Sequence, residues 1–439
     1  MKKLLSLLLA AVMLAGLCSC TVKLSTTAAP GNFEKETEPV EPVKTYEDMT
    51  LEEKMEYKSV LHLEKAEVSD TSLLAPALDS KTSLWGYTDL SGRWVIEPAY
   101  KSASAFSGDT AAVSDPYGDF TIIDRSGNAV FSSLDKLNFT AVGRTSDGIT
   151  NIALDTDAEQ TQTYINAEGK AAFDVTRLPL SKGISYQKKN YLAVATPFRN
   201  GKAAVMRVTN KSLAEEGKTS VLEMAYIIDT EGAVLAGLPQ GLDISASGFD
   251  ENMRIVISNS EGLFGLADEN GAIVLSCNYL KVLHCEGENY LVCDQNGFWG
   301  YVSKDGKKIV DLKYEKALPF SEGLAAVYDG TGWGFINEQG VTVIAPQFDS
   351  VAALKPAETA DPEDAGAFSC GIAVVKKGSY WGIIGKTGSI LLAAQSVESP
   401  VLAVCNGYMS FNYQGACGVF TVDGRYVLLS EFQNVGEFR

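Results

Sequence analysis

Apolar and polar residues alternate over runs of four to seven along most of the chain, and many runs end in short polar residues and a glycine. That alternation predicts half-buried β-strands closed by tight turns. The segment Trp85-Gly86-Tyr87-Thr88-Asp89-Leu90-Ser91-Gly92 aligns with Trp333-Gly334-Phe335-Ile336-Asn337-Glu338-Gln339-Gly340. Stacking the remaining segments on the final glycine yields nine units, with turn glycines Gly92, Gly127, Gly169, Gly232, Gly271, Gly306, Gly340, Gly388 and Gly424. Three residues before each stands Asp89, Asp124, Asn166, Asp229, Asp268, Ser303, Asn337, Gly385 or Thr421. Most of these carry a side-chain oxygen that can accept from the backbone two residues on, while the glycine takes the positive φ that closes the turn. The pattern therefore encodes hairpins.

A second strand follows each turn, as in Trp94-Val95-Ile96 and Thr342-Val343-Ile344. Next comes an element that starts on an aromatic residue, Tyr100 to Phe106, Tyr314 to Phe320, Phe348 to Leu354 or Phe432 to Phe438. A further strand, such as Leu324 to Val327, leads back to the Trp-Gly position. Each unit is thus expected to hold four antiparallel strands. Unit starts at 85, 120, 162, 225, 264, 299, 333, 381 and 417 lie about 35 residues apart where nothing is inserted. A unit that small cannot bury both faces of its sheet alone and must stack on its neighbours. The expected fold class is all-β, a β-propeller of about eight or nine four-stranded units. An open β-repeat array and two smaller propellers are the alternatives, and a hairpin in every period speaks against a parallel β-helix.

Glu56 to Leu63 matches the element that follows each hairpin, most closely Tyr279 to Cys285, yet no hairpin precedes it. Glu431 to Phe438 supplies the same element at the other end. One terminus is therefore expected to complete the other's sheet.

The Trp-Gly pairs at 85, 299, 333 and 381, with Ser321-Glu322-Gly323-Leu324-Ala325-Ala326-Val327, resemble the WG-repeat family of bacterial proteins, and the resemblance runs from about Tyr57 to Arg439. Elsewhere the tryptophan is replaced by Phe120, Gln162, Ala225, Phe264 or Cys417. Such proteins are mostly uncharacterised, so the resemblance implies an architecture and little about activity.

Residues 1–20, MKKLLSLLLAAVMLAGLCSC, join two lysines to an apolar run too short to be a good membrane span, as a signal peptide does. Its end resembles a bacterial lipobox, with small Ser19 before Cys20 and Leu17 three residues before it. Cys20 is the expected lipid attachment site, and several acyl chains on it would anchor the protein stably to the membrane, outside the cytoplasm. Residues 21–45 are rich in Thr, Pro, Glu and Lys and read as a flexible tether, followed by the repeat domain at 46–439. Thr50-Leu51-Glu52-Glu53 has the spacing of a helix capping box. The net charge of −18 becomes −20 once the two signal lysines are gone, a surface that repels nucleic acid and anionic lipid. Six cysteines follow Cys20, at 277, 285, 293, 370, 405 and 417, without CxxC spacing. Cys277, Cys285 and Cys293 could either pair or stay as buried thiols.

His62 and His284 are the only histidines and fall at the same place in two copies of one element, which points to packing rather than catalysis. No catalytic or metal-binding constellation emerges, and no cofactor is implied. Asp155, Asp157 and Glu159, like Asp361, Glu363 and Asp364, lack the spacing of a calcium loop and read as solvated acids. The repeated tryptophans read as core between units, whereas Trp94, which stands just after a turn, reads as exposed. Insertions at Asn210 to Glu223 and Lys355 to Phe368 are the places where a rigid scaffold would carry binding loops. These features lead to an envelope-anchored, non-enzymatic scaffold for a protein or cell-surface ligand, with a propeller-based hydrolase and a structural spacer as alternatives.

Overall fold

A computed structural model of the chain describes residues 46–58, 65–68 and 72–439 apart from 107, 118–119, 133–138, 157–158, 167–169, 174–190, 209–224, 355–365, 397, 414–415, 431, 433 and 437. The signal segment, Cys20, the tether, His62, the insertion at 210–223 and most of that at 355–368 lie outside these residues. The described chain is almost entirely β, in eight antiparallel sheets.

A typical repeat is a four-stranded meander, with strands a to d in chain order. In the sixth repeat these are Lys281–His284, Asn289–Cys293, Trp299–Ser303 and Lys308–Tyr314. The c–d turn has the form its sequence encodes. In the first repeat Asp89 Oδ1 accepts from the N–H of Ser91 at 2.9 Å and of Arg93 at 3.2 Å, and Gly92 adopts φ +82°. The turn glycines of the other described repeats have φ between +74° and +89°, where a β-carbon would be strained.

The glycine of the Trp-Gly pair answers a different constraint. In the first, fifth, sixth and seventh repeats the d strand carries two extra residues opposite this glycine, so that Trp333 pairs with Phe348 but Phe335 with Ile344. The bulged backbone lies over the glycine. A β-carbon on Gly86 would be 2.5 Å from the Ile96 carbonyl oxygen, and one on Gly334 would be 2.7 Å from that of Ile344. The tryptophan itself faces the aromatic residue that ends the d strand, Trp85 opposite Tyr100 and Trp299 opposite Tyr314. These tryptophans are half-buried at the ends of their strands, and Trp299, Trp333 and Trp381 pack on clusters between repeats. Trp94 is half-buried too, edge-on to Phe432 at 5.1 Å between ring centres, so the expectation of an exposed ring is corrected.

The nine expected units form eight sheets because the third and fourth repeats share one of seven strands. There the c strand of the third, Glu159–Asn166, pairs with the a strand of the fourth, Tyr191–Ala195. Among the described residues, eight apolar clusters fill the spaces between repeats. They join the first repeat to the second, the third to the fourth, and so on to the ninth, and the last joins Cys417, Val419 and Val427 to Ala75, Ala77 and Leu90 of the first.

Backbone pairing closes the array as well. The first sheet takes its a strand, Asn434–Val435, from the C-terminus, with Ala77 opposite Val435 and Leu78 opposite Asn434. Leu74 and Arg439 exchange backbone hydrogen bonds of 2.9 and 3.0 Å beside it. This is a propeller-like closed array in which one terminus completes the other's sheet. Of the N-terminal match to the same element, only residues 56–58 are described. Glu56 and Tyr57 end a helix, Leu51–Tyr57, whose capping box on Thr50 and Glu53 is formed, because Leu51 and Met55 put an apolar stripe at helical spacing.

Candidate functional site

In a four-stranded meander the a–b turn and the c–d turn lie at the same end of the sheet, as the 2.7 Å bond from Lys304 N–H to the Glu288 carbonyl illustrates. At that end the a–b turns of the third to the eighth repeats grip one another in succession, and that of the ninth grips the closure. Asp147 accepts from Gly201 N–H at 2.9 Å, the Arg199 guanidinium donates to the Phe249 carbonyl at 2.9 Å, and Glu251 accepts from Gly287 N–H at 2.9 Å. Glu286 then accepts from Glu322 N–H, and Glu322 from Gly371 N–H at 2.8 Å. Asn406 donates to the Phe438 carbonyl at 2.9 Å across the closure. Asp147, Glu251, Glu286 and Glu322 carry most of these grips. Here their partners are backbone groups of the neighbouring repeat, a signal no local motif carries.

Between the fifth and sixth repeats this end opens into a cavity of about 290 Å³. One wall comes from the first three strands of the fifth repeat, with Ile244, Ser245, Val256, Ser258 and Phe264. The other is the a strand of the sixth, Lys281 to His284. The a–b turn of the fifth repeat forms the rim. Its Asp250 Oδ1 accepts from the N–H of Asn252 and of Arg254, both at 2.9 Å, and its Oδ2 accepts from the Tyr290 hydroxyl. Burial, and then the Asp250 charge, hold the Tyr290 hydroxyl well above the usual tyrosine range, so it remains a donor. Arg254 donates to the Lys304 carbonyl at 3.1 Å and lies 3.6 Å from Asp305, which fixes it across the two repeats.

His284 is here, and it is not a plain packing residue. Its ring meets Tyr290 edge-on at 5.4 Å, but its side chain keeps 30% exposure, with Nε2 at 3.4 Å from Asn252 Nδ2 and 3.8 Å from Glu251 Oε1. The Ser245 and Ser247 hydroxyls are 2.7 Å apart and bonded to one another. Fixed hydroxyls, an imidazole and an apolar floor suit binding a small polar group. The volume falls just below the range of about 300–1,000 Å³ usual for ligand pockets.

The clustered acids, Asp155 to Glu159 and Asp361 to Asp364, have no described side chains. Among the described residues no cluster of three or more His, Cys, Asp or Glu is placed to hold a metal. Among the described residues Cys277, Cys285, Cys293 and Cys370 are free, with Cys285 and Cys293 buried, which decides for thiols over pairing within the set at 277, 285 and 293. Burial pushes the Cys285 thiol up to about 12 and the Cys417 thiol to about 11.

Comparison with known proteins adds the repeat. The family described as WG containing repeat matches residues 85–115, 299–330, 333–355 and 363–381. The chain carries WG repeats at these four places. The matched stretches are those where the Trp-Gly pair is intact, and the rest of the array follows the same strand plan. No curated protein matches the chain. A solved eukaryotic initiation factor shares 12% identity at a TM-score of 0.47, over 84% of this chain and 98% of its own. BamB from Moraxella catarrhalis shares 13% at 0.37, over 74% and 94%. A computationally designed protein, Ika4, shares 14% at 0.22, over 39% and 91%. The WG-repeat fold rests on the strand pairing rather than on these likenesses.

Proposed function

We propose that this WG-repeat protein is an envelope-anchored scaffold, held at the membrane through a lipid on Cys20, that binds a protein or a cell-surface ligand without chemistry. The observation that carries this reading is the cavity between the fifth and sixth repeats, set in walls that turn-to-turn bonds and the C-terminal strand hold in place. Binding sites are commonly concave and largely pre-formed, with few polar groups among apolar ones. The strongly acidic composition directs partner choice away from nucleic acid.

A photoreactive residue at position 247 in intact cells tests the binding half. A discrete adduct that is lost on Ser245→Trp, which fills the cavity, supports it, whereas labelling no different from that at exposed Val130 contradicts it. For the anchor, Cys20→Ala should move the protein from the membrane fraction to the soluble one and abolish lipid labelling. Retention of the lipid in that variant refutes the assignment.

A further inference from the structure

The eighth repeat departs from the plan of the first, fifth, sixth and seventh. Its c and d strands, Tyr380–Gly385 and Ile390–Gln395, pair without the two-residue bulge, with Trp381 opposite Ala394, Gly382 opposite Ala393 and Ile383 opposite Leu392. No strand backbone is among the three atoms nearest to a β-carbon placed on Gly382, and a notch lies there where the first, fifth, sixth and seventh repeats have the bulged backbone of their d strand. Met55 of the N-terminal helix fills it. A β-carbon on Gly382 would meet Met55 Cε at 2.5 Å, and the next two nearest atoms, at 3.5 and 3.6 Å, belong to the same side chain.

Met55 is fully buried in a cluster with Phe335 and Ile344 of the seventh repeat and Val375, Ile384 and Ala393 of the eighth, and Leu51 packs beside it. Polar contacts fix the helix at both ends. Glu52 reaches the turn at Gly378 and Ser379, and the Ala393 N–H donates to the Lys58 carbonyl at 2.9 Å. The helix has only seven residues, too few to be stable in isolation, so it is ordered by the surface on which it sits.

We infer that the Gly382 notch is a docking site for a short amphipathic helix with large unbranched apolar side chains four residues apart and an acid after the first. The chain's own Leu51–Tyr57 occupies it in the free protein. A partner protein presenting such a helix binds by displacing the chain's own segment, the one that leads directly from the tether. The site lies apart from the cavity at Ser245 and His284 and stands whether or not that cavity binds anything.

The test uses a fluorescent synthetic peptide of residues 49–58 and the full mature chain as wild type, Met55→Asp and Met55→Asp/Gly382→Val. Freeing the site of its internal occupant should tighten the peptide's binding to Met55→Asp about tenfold over wild type. Adding Gly382→Val should abolish that gain, because the valine takes the space that Met55 fills. Equal binding to wild type and Met55→Asp, no binding to Met55→Asp, or gain retained with Gly382→Val each overturns the proposal. Met55→Ala replaces Met55→Asp should the charged variant fail to fold, with the same outcomes read in the same way.

Discussion

Tyr301 donates its hydroxyl to the carbonyl of Leu318, 17 residues later and in the next repeat, at 2.8 Å. Tyr87 does the same to Ser104 at 2.9 Å, also 17 residues on, and Tyr164 to Thr196 at 2.7 Å across a longer connection. Each ring also meets the phenylalanine two residues beyond the acceptor, Phe320, Phe106 and Phe198, at 4.4 to 5.0 Å. The position two after the tryptophan is thus a clamp from one repeat to the next.

Tyr301→Phe keeps the ring and removes the donor, leaving the Leu318 carbonyl without its partner. A loss of about 1–3 kcal/mol in unfolding free energy is expected by denaturant titration. No change beyond error would show that the hydroxyl does not hold the repeats together.

The two halves of the Trp-Gly pair should respond differently. Gly334→Ala forces a methyl against the Ile344 carbonyl and the Pro346 nitrogen, both 2.7 Å from the new atom, and should destabilise by about 1–3 kcal/mol. Trp333→Phe, the exchange already present at Phe264, should lose under about 1.5 kcal/mol. A tryptophan variant weaker than the glycine variant would invert this account of the motif.

Acid should weaken the turns. Hydrogen bonds from Asn128 hold the Asp124 carboxyl below the usual aspartate range. At Asp89 burial pushes the carboxyl up, but bonds from Ser91 and Arg93 outweigh it and the net shift is downward. A carboxyl whose pKa is lower in the folded state contributes stability above the unfolded value, and this is lost as pH falls through the folded one. Melting temperatures should therefore drop below about pH 4. Asp89→Asn/Asp124→Asn, which places at both turns the residue found at Asn166 and Asn337, should show a shallower drop. An unchanged profile would place the acid sensitivity elsewhere.

With Cys277, Cys285, Cys293 and Cys370 free, a reductant should leave the melting temperature of the purified protein unchanged. Thiol reagents at neutral pH should modify Cys285 and Cys417 only after denaturation, as mass spectrometry of digests would show. A fall in melting temperature on reduction would reveal a disulfide that the free thiols exclude.

Much of this fold was legible because it is written in backbone chemistry. The turn at Asp89 and Gly92 needs an acceptor and a positive φ, and few residues supply either, so the pattern survives when Trp85 becomes Gln162 or Ala225 elsewhere. Closure was legible from the element at residues 431–438, which repeats the one that follows other hairpins and stands at the end of the array. Its N-terminal counterpart misled, because Glu56 and Tyr57 are also compatible with a helix, and a surface in the eighth repeat selects that form. The cavity at His284 and the notch at Gly382 were invisible for one reason. Each is made by residues far apart in the chain, and the missing bulge that exposes Gly382 is a difference in strand register rather than in residue type.

Closure is the central claim, and an engineered disulfide reads it directly. Ala77 and Val435 are register partners more than 350 residues apart and both buried. On mild oxidation of the native protein, Ala77→Cys/Val435→Cys should form an intramolecular disulfide, run faster on a non-reducing gel and melt higher than either single variant. If the two cysteines fail to join in the native chain, the array is open.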